Sequence, residues 1–243
     1  MPLLDFCFPR ECPACLAGFE SPTLFCPDCE MEMDALESTI GCPRCAVPLP
    51  APEGDCPYCR GRGVPPFARI QSLTLFRGPI KEAVHHAKYE HRWPLMERLA
   101  DRLMAKRELC PWFDDVDALV PVPLHPTRQR ARGFNQAEVL ARRLCRGIGG
   151  TMTVIAPAIR IRNTETQTQM SSAARRAKNL NNAFMLTDPA AVKGKHLVLV
   201  DDVMTTGSTL VSLARTLRPA RPARLSAIVL CVGDPRGRGF EVI

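Results

Sequence analysis

The chain has 243 residues, 46% of them apolar and 23% charged, proportions that exclude a fibre and a wholly disordered polypeptide. That length suits one domain of ordinary size with a small appendage. The formal charge of +7 is unevenly spread: residues 1–63 carry 4 basic and 10 acidic side chains and residues 64–243 carry 28 and 15, so an acidic module of −6 precedes a basic domain of +13.

The division falls near Gly61–Pro66. Of the 32 basic residues, 26 are Arg, the side chain suited to bidentate recognition of phosphate. Composition alone admits either nucleic acid or a small polyphosphate as the partner. No apolar run approaches the roughly eighteen residues of a membrane span. The opening segment MPLLDFCFPREC lacks the basic start and apolar core of a secretion signal. No membrane insertion and a cytoplasmic location are therefore expected.

Eight of the twelve cysteines form four Cys-x-x-Cys pairs: Cys12/Cys15, Cys26/Cys29, Cys42/Cys45 and Cys56/Cys59. Ten residues separate the first pair from the second, and ten the third from the fourth, which is an internal repeat; Pro follows the first Cys of every pair. Two such turns close a tetrahedral Zn²⁺ site, and a reducing compartment disfavours disulfides. The spacing predicts two closed, structural Cys₄ zinc sites built from sequential pairs, with interleaved pairing left open. Few large apolar residues lie here, so metal must supply much of the folding energy. Metal-bound thiolates would make the module more acidic and favour docking on the basic domain. Cys145 and Cys231 lie in apolar patterns and read as core.

Beyond Pro66 strand and helix patterns alternate. Residues 69–76 read as a strand, and 79–92 and 95–107 as helices separated at Pro94. Ala118–Val122 is a short apolar run, hence a buried strand. Phe134–Arg146 reads as a helix with Ala137, Leu140, Ala141 and Leu144 on one face, and with Asn135 and Glu138 at capping-box spacing. Residues 158–162 and His196–Asp201 read as strands. Thr209–Arg218 reads as a helix with Leu210, Leu213, Ala214 and Leu217 on one face, and Leu225–Val232 as the last strand. The alternation predicts an α/β fold: a parallel sheet with helices on both faces.

The chief motif is VLVDDVMTTGST, residues 198–209. An apolar strand ends in Asp201 and Asp202; Thr205, Thr206, Gly207, Ser208 and Thr209 then open an amphipathic helix. Such a loop presents amides and hydroxyls at a helix N-terminus, a phosphate site, and Gly207 lets the backbone approach closely. The two carboxylates suit a pair of sugar hydroxyls or a bound Mg²⁺. The loop has no Lys, so it is not a Walker A loop, which argues against an NTPase.

This stretch resembles the phosphoribosyl-pyrophosphate motif of type I phosphoribosyltransferases. With VPVPLHPTRQRARGFNQAEVLARRL (120–144), RNTETQTQMSSAARRAKNLNNAF (162–184) and the Cys-x-x-Cys module, the chain resembles the ComF family over nearly its whole length. The resemblance implies a double zinc ribbon over residues 1–63, followed by a type I phosphoribosyltransferase-like domain over 64–243. It implies Asp201 and Asp202 on the ribose hydroxyls and Thr205–Thr209 on the 5′-phosphate. The segment His125–Arg132 takes the place of the pyrophosphate loop, with Arg128, Arg130 and Arg132 as candidates. Residues 162–179 take the place of a closing loop, where Arg162, Thr164, Gln167, Arg175, Arg176 and Asn179 fit the pattern and Arg162 is a catalytic candidate. Lys88, on an upstream helix with His85 and His86, is within range of a phosphate in this reading, and the two histidines read as core or surface.

Three functions follow. The first is an Mg²⁺-dependent phosphoribosyl transfer from phosphoribosyl pyrophosphate to an acceptor that no motif names. The second is a single-stranded DNA handling factor, since ComF proteins are associated with uptake of transforming DNA and the domain carries +13. The third is a scaffold that docks a protein partner through its ribbons. Only the first explains both acids and the phosphate loop.

Overall fold

The computed structural model describes residues 10–38, 41–47, 49, 56, 57, 59, 64–90, 92–106, 111–148, 151–163 and 182–233. The cysteines group in chain order. Cys12, Cys15, Cys26 and Cys29 form one cluster and Cys42, Cys45, Cys56 and Cys59 another, with each cluster's sulfurs within 4.8 Å of one another. Sequential pairing is thus what the chain adopts. The repeat extends to the backbone of the leading turn in each cluster. Leu16 N donates to Cys12 O at 2.9 Å and Ala46 N to Cys42 O at 2.8 Å. Leu16 and Ala46, each just after the second Cys, have φ of 62° and 61°. After these turns the clusters diverge. The first carries a short antiparallel pair, β1 (Arg10–Glu11) and β2 (Gly18–Phe19), and Cys26 caps helix α1 (Pro27–Glu37), with Pro27 in its first turn where no amide partner is needed.

The central sheet has five parallel strands: β3 (Ile70–Leu75), β4 (Ala118–Pro121), β5 (Thr153–Val154), β8 (His196–Met204) and β9 (Arg224–Val232), in the order β3-β9-β8-β4-β5. β8 and β9 are near-continuous apolar runs because both faces are covered. Helices α2 (Pro79–Tyr89) and α3 (Trp93–Ala105) follow β3, α5 (Gln136–Ile148) follows β4, and α6 (Ser208–Leu217) links β8 to β9. Val198, Val200 and Leu230 share an apolar cluster with α2, α3, α5 and the first cysteine cluster. Leu197, Leu199 and Val229 face the other way, into a cluster with α6 and the second cysteine cluster. Helices on both faces, as the alternation predicts, are what the sheet carries. The faces predicted for α5 and α6 are buried: Ala137, Leu140, Ala141 and Leu144, and Leu210, Leu213, Ala214 and Leu217, are each at most 1% exposed.

Four local expectations change. Pro94 does not sit in a gap after a helix reaching residue 92; α2 stops at Tyr89 and Pro94 lies in the first turn of α3. The strand at 158–162 is not part of the parallel sheet. Its core, β6 (Ala158–Arg160), pairs antiparallel with β7 (Phe184–Leu186) in a separate ribbon beside α6, and this alternates buried and exposed residues as a half-covered ribbon must. The strand carrying the acids does not end at Asp201 but runs on to Met204, because β9 remains alongside and Val203 and Met204 keep the ladder. Residues 126–132 are a helix rather than a loop, α4 (Pro126–Arg132). His125 caps it, its Nδ1 accepting from Thr127 N at 3.3 Å, Pro126 starts it, and Gly133 at φ 79° ends it.

The acidic module does lie against the basic domain. Arg102 of α3 meets Glu30, Asp34 and Glu37, one stripe of α1, with Asp34 Oδ1 at 2.7 Å. Lys106 Nζ donates to Glu37 O at 2.7 Å and to Leu73 O at 3.0 Å, joining α1 to the edge strand.

Candidate functional site

β4 pairs with β8 only as far as Pro121 and Val200, whereas β8 stays paired with β9 to Met204 and Val232. Asp201 and Asp202 therefore stand where β4 has left the sheet. From β4 the chain leads outward to β5 over one face, through α5. From β8 it leads the opposite way to β9 over the other face, through α6. A crevice opens where the connections reverse, and ligands of open α/β sheets bind in it.

One wall is the segment Thr205–Thr209. Gly207 has φ 75°, a backbone region that side chains strain to enter, and it caps α6. A Cβ there would lie 3.5 Å from Val64 Cγ1, so the linker from the second cysteine cluster packs beneath the loop. Thr206 and Ser208 are buried. The Thr206 hydroxyl donates to Ser208 Oγ at 2.9 Å and accepts from Ser208 N at 3.3 Å, which fixes the turn. Thr205 and Thr209 are half-buried at the mouth.

The floor is the acid pair. Asp202 is 4% exposed and its amide donates to Asp201 Oδ1 at 2.9 Å. Burial first, and the adjacent Asp202 charge second, push the Asp201 carboxyl up to about 8. Burial also opposes ionisation of Asp202, but Lys88 outweighs it, with Arg132 adding, and Asp202 is held below its usual value. The pair therefore carries close to one negative charge near neutrality. Lys88, from α2, pairs with Asp202 Oδ2. That oxygen is buried, and Lys88 is its partner among the described residues. Paired hard oxygen donors of this kind fit Mg²⁺.

The opposite wall is cationic. Asn135 sews it to the sheet: its Nδ2 donates to Val122 O at 3.0 Å and its Oδ1 accepts from Ala137 N at 3.1 Å. The capping box is thus half made, because Glu138 turns to Arg142 instead, at 2.7 Å. Arg128 and Arg132, four residues apart, share one half-buried face of α4, while Arg130 is exposed. Arg132 donates to Gln136 Oε1 at 2.8 Å and lies 5.6 Å from the Tyr89 ring centre. Burial and the neighbouring Arg132 charge pull Arg128 below its usual value.

The sequence pattern points to Arg162; two residues earlier the structure buries Arg160, which feels the charge of Asp201. Arg162 is exposed; its carbonyl accepts from Arg160 Nε at 3.3 Å. Arg160 is 9% exposed and packs over the Phe184 ring at 5.5 Å. Burial first, then Arg128, weakens its hold on the proton, and the Asp201 charge counters them. A signal existed: in Ala158–Ile161 the two isoleucines point out and the arginine points in, the reverse of an ordinary strand face. Thr164, Gln167, Arg175, Arg176 and Asn179 lie outside the described residues. His86 is a structural residue, its Nδ1–H donating to Pro13 O at 2.9 Å. Cys231 is fully buried, and Cys145 is half-buried with its thiol on Met152 O at 3.2 Å.

A phosphoribosyl transferase domain model matches residues 91–242, which span α3, the acid pair and β9. The chain is 35% identical over 198 residues to the DNA utilization protein YhgH of Salmonella typhimurium, covering 78% of this chain and 83% of that protein. The chain belongs to the ComF family. Other members are Competence protein F of Haemophilus influenzae, 29% identical over 79% of this chain and 83% of that protein, and Competence protein ComFC of Bacillus subtilis, 35% identical over 46% and 43%. The ComF assignment accounts for both halves of the fold: a phosphoribosyltransferase-type sheet and N-terminal Cys₄ clusters consistent with a zinc ribbon. No helix among the described residues is long and apolar enough to cross a membrane.

Proposed function

We propose that this ComF protein binds phosphoribosyl pyrophosphate with Mg²⁺ in the crevice and transfers the phosphoribosyl group to an acceptor. The observation that supports this best is the acid pair between a phosphate-type loop and a wall of Arg128, Arg132 and Arg160. Thr205–Thr209 hold the 5′-phosphate through amides and hydroxyls at the start of α6. Asp201 and Asp202 orient the ribose hydroxyls and would hold Mg²⁺, which when bound neutralises charge on the pyrophosphate. Arg128 and Arg132 stabilise the departing pyrophosphate, and Arg160, kept rigid by Phe184, holds the charge balance beside Asp201. Residues 162–179, by their resemblance to the family's closing loop, would shield the crevice from water. Zn²⁺ in both Cys₄ clusters holds the N-terminal segment in shape. The test is calorimetric titration of phosphoribosyl pyrophosphate with Mg²⁺ into wild type and into Asp201→Asn/Asp202→Asn. Binding at least tenfold weaker in the double variant is expected; equal binding removes the assignment.

A second reading, single-stranded DNA handling, has its own observation, and the relatives' names, DNA utilization and Competence, point the same way. At the amino ends of β3, β8 and β9, the far end of the sheet from the acids, a cleft of about 550 Å³ is lined by Arg218, Arg221 and Arg224. Arg69, Lys193 and Lys195 adjoin it, and among the described residues only Arg224 of these six has an acidic partner, Asp115 at 2.8 Å. Cations spread along a surface without counter-charges suit a phosphate backbone. Fluorescence anisotropy with labelled oligo-dT should show Arg218→Glu/Arg221→Glu binding several-fold more weakly, with a shallower salt slope. An unchanged slope would remove this surface from consideration.

A further inference from the structure

We infer that Lys88 is a built-in counter-cation of the acid pair: its ammonium occupies Asp202 in the unliganded protein and keeps free divalent metal off the carboxylates until a phosphorylated sugar displaces it. The inference rests on the reading that this crevice takes phosphoribosyl pyrophosphate with Mg²⁺.

Three features carry it. Asp202 is buried, and among the described residues the partner of its Oδ2 is the Lys88 ammonium. A permanent structural carboxylate would instead collect backbone or side-chain donors. The backbone behind Lys88 is also fixed. Ile80, Ala83, Val84 and Ala87 bury one face of α2 completely, and His86, two residues before Lys88, is pinned to Pro13 O of the first cysteine turn. Only the four-carbon side chain needs to move.

The third feature is charge. The Lys88 ammonium faces the Asp202 carboxylate and already supplies a cation at the acid pair. A bare divalent cation entering there must drive the ammonium towards Arg132 and Arg128, whose charges repel it. A polyphosphate arriving with the metal removes that penalty, because the released ammonium and the two guanidiniums then share an anion. Metal and sugar phosphate therefore bind together or not at all, with Lys88 as the source of the coupling. This makes Lys88 a positioning and selectivity residue, which opens the site to the metal–polyphosphate complex and not to the metal.

The probe is Mn²⁺, followed by electron paramagnetic resonance, added to zinc-loaded full-length protein without phosphoribosyl pyrophosphate. Wild type and Lys88→Arg should bind Mn²⁺ weakly. Lys88→Met should bind it at least about tenfold more tightly, and Lys88→Met/Asp202→Asn should lose that gain. Equal affinity of wild type and Lys88→Met, or a gain that survives Asp202→Asn, overturns the inference. Should Lys88→Met fail to fold, wild type still decides: tight Mn²⁺ binding that Asp202→Asn abolishes overturns the inference, and Mn²⁺ affinity that rises at least tenfold with saturating phosphoribosyl pyrophosphate upholds it. Absence of any phosphoribosyl pyrophosphate binding would defeat the functional reading separately, because the Mn²⁺ arms contain none.

Discussion

The two cysteine clusters share a motif, a leading turn and a positive φ after the second Cys, yet they sit on opposite faces of the sheet and are held by different forces. The first lies on the helical layer, where Arg102 gathers three acids of α1 and His86 reaches the Cys12 turn. Its Cys15 is exposed and Cys29 half-buried. The second is buried at all four cysteines and shares one apolar cluster with Val64, Phe67, Ile70 and Val211. Both pack into the core, but the first adds an ion-pair clasp through α1, while the second is a wedge lying beside the phosphate-type loop. A duplicated metal turn fixes only its own local shape; the side chains around it decide what it supports.

The largest expected effect separates wedge from clasp. Cys45→Ser and Cys15→Ser should each lose about one of two zinc ions, measured by chelator colorimetry. Cys45 is fully buried, so its variant leaves a broken site inside the core. It should lower the melting temperature by roughly 10 °C, which for a chain of this size corresponds to about 3 kcal/mol or more. Cys15→Ser should cost less than half of that, because Cys15 itself is exposed. Equal losses would mean that the two clusters support the sheet to the same degree.

The same contrast explains what the sequence could and could not reveal. Cysteine spacing favoured the sequential clusters, which the structure then separated from the interleaved alternative, and the charge imbalance pointed to docking, because both are properties of residues close in the chain. The five parallel strands followed from apolar runs that must be covered on both faces. Asp201, Asp202 and the Thr205–Thr209 turn were legible because they lie on one strand–loop–helix unit. Arg160 and Lys88 were harder, since each matters through a partner 41 residues or more away in the chain, Asp201 for one and Asp202 for the other. Residues 126–132 looked like a loop because none of their side chains is buried. The helix is set by its ends, His125 with Pro126 and Gly133, and not by an apolar stripe, so periodicity had nothing to detect.

A smaller effect isolates the charge in the clasp. Arg102 is mostly buried among Glu30, Asp34 and Glu37, so Arg102→Met strands carboxylates and should cost about 3 kcal/mol, the low end for removing one partner of a buried pair. Arg92→Ala is the control: its partners Glu11 and Glu90 are exposed, and their loss should cost well under 1 kcal/mol. The two variants should also differ in pH dependence. Burial already raises Glu37 above its usual value and Arg102 opposes that rise. Without Arg102 the folded-state value rises further above the unfolded one. The folded variant then binds a proton that the unfolded chain has lost, so its stability falls as pH rises through that range. Denaturant melts should show the Arg102→Met deficit growing as pH rises above the ordinary glutamate range, while the Arg92→Ala deficit stays flat. A flat Arg102→Met deficit would mean that α1 is held by packing, and the clasp would then resemble the wedge.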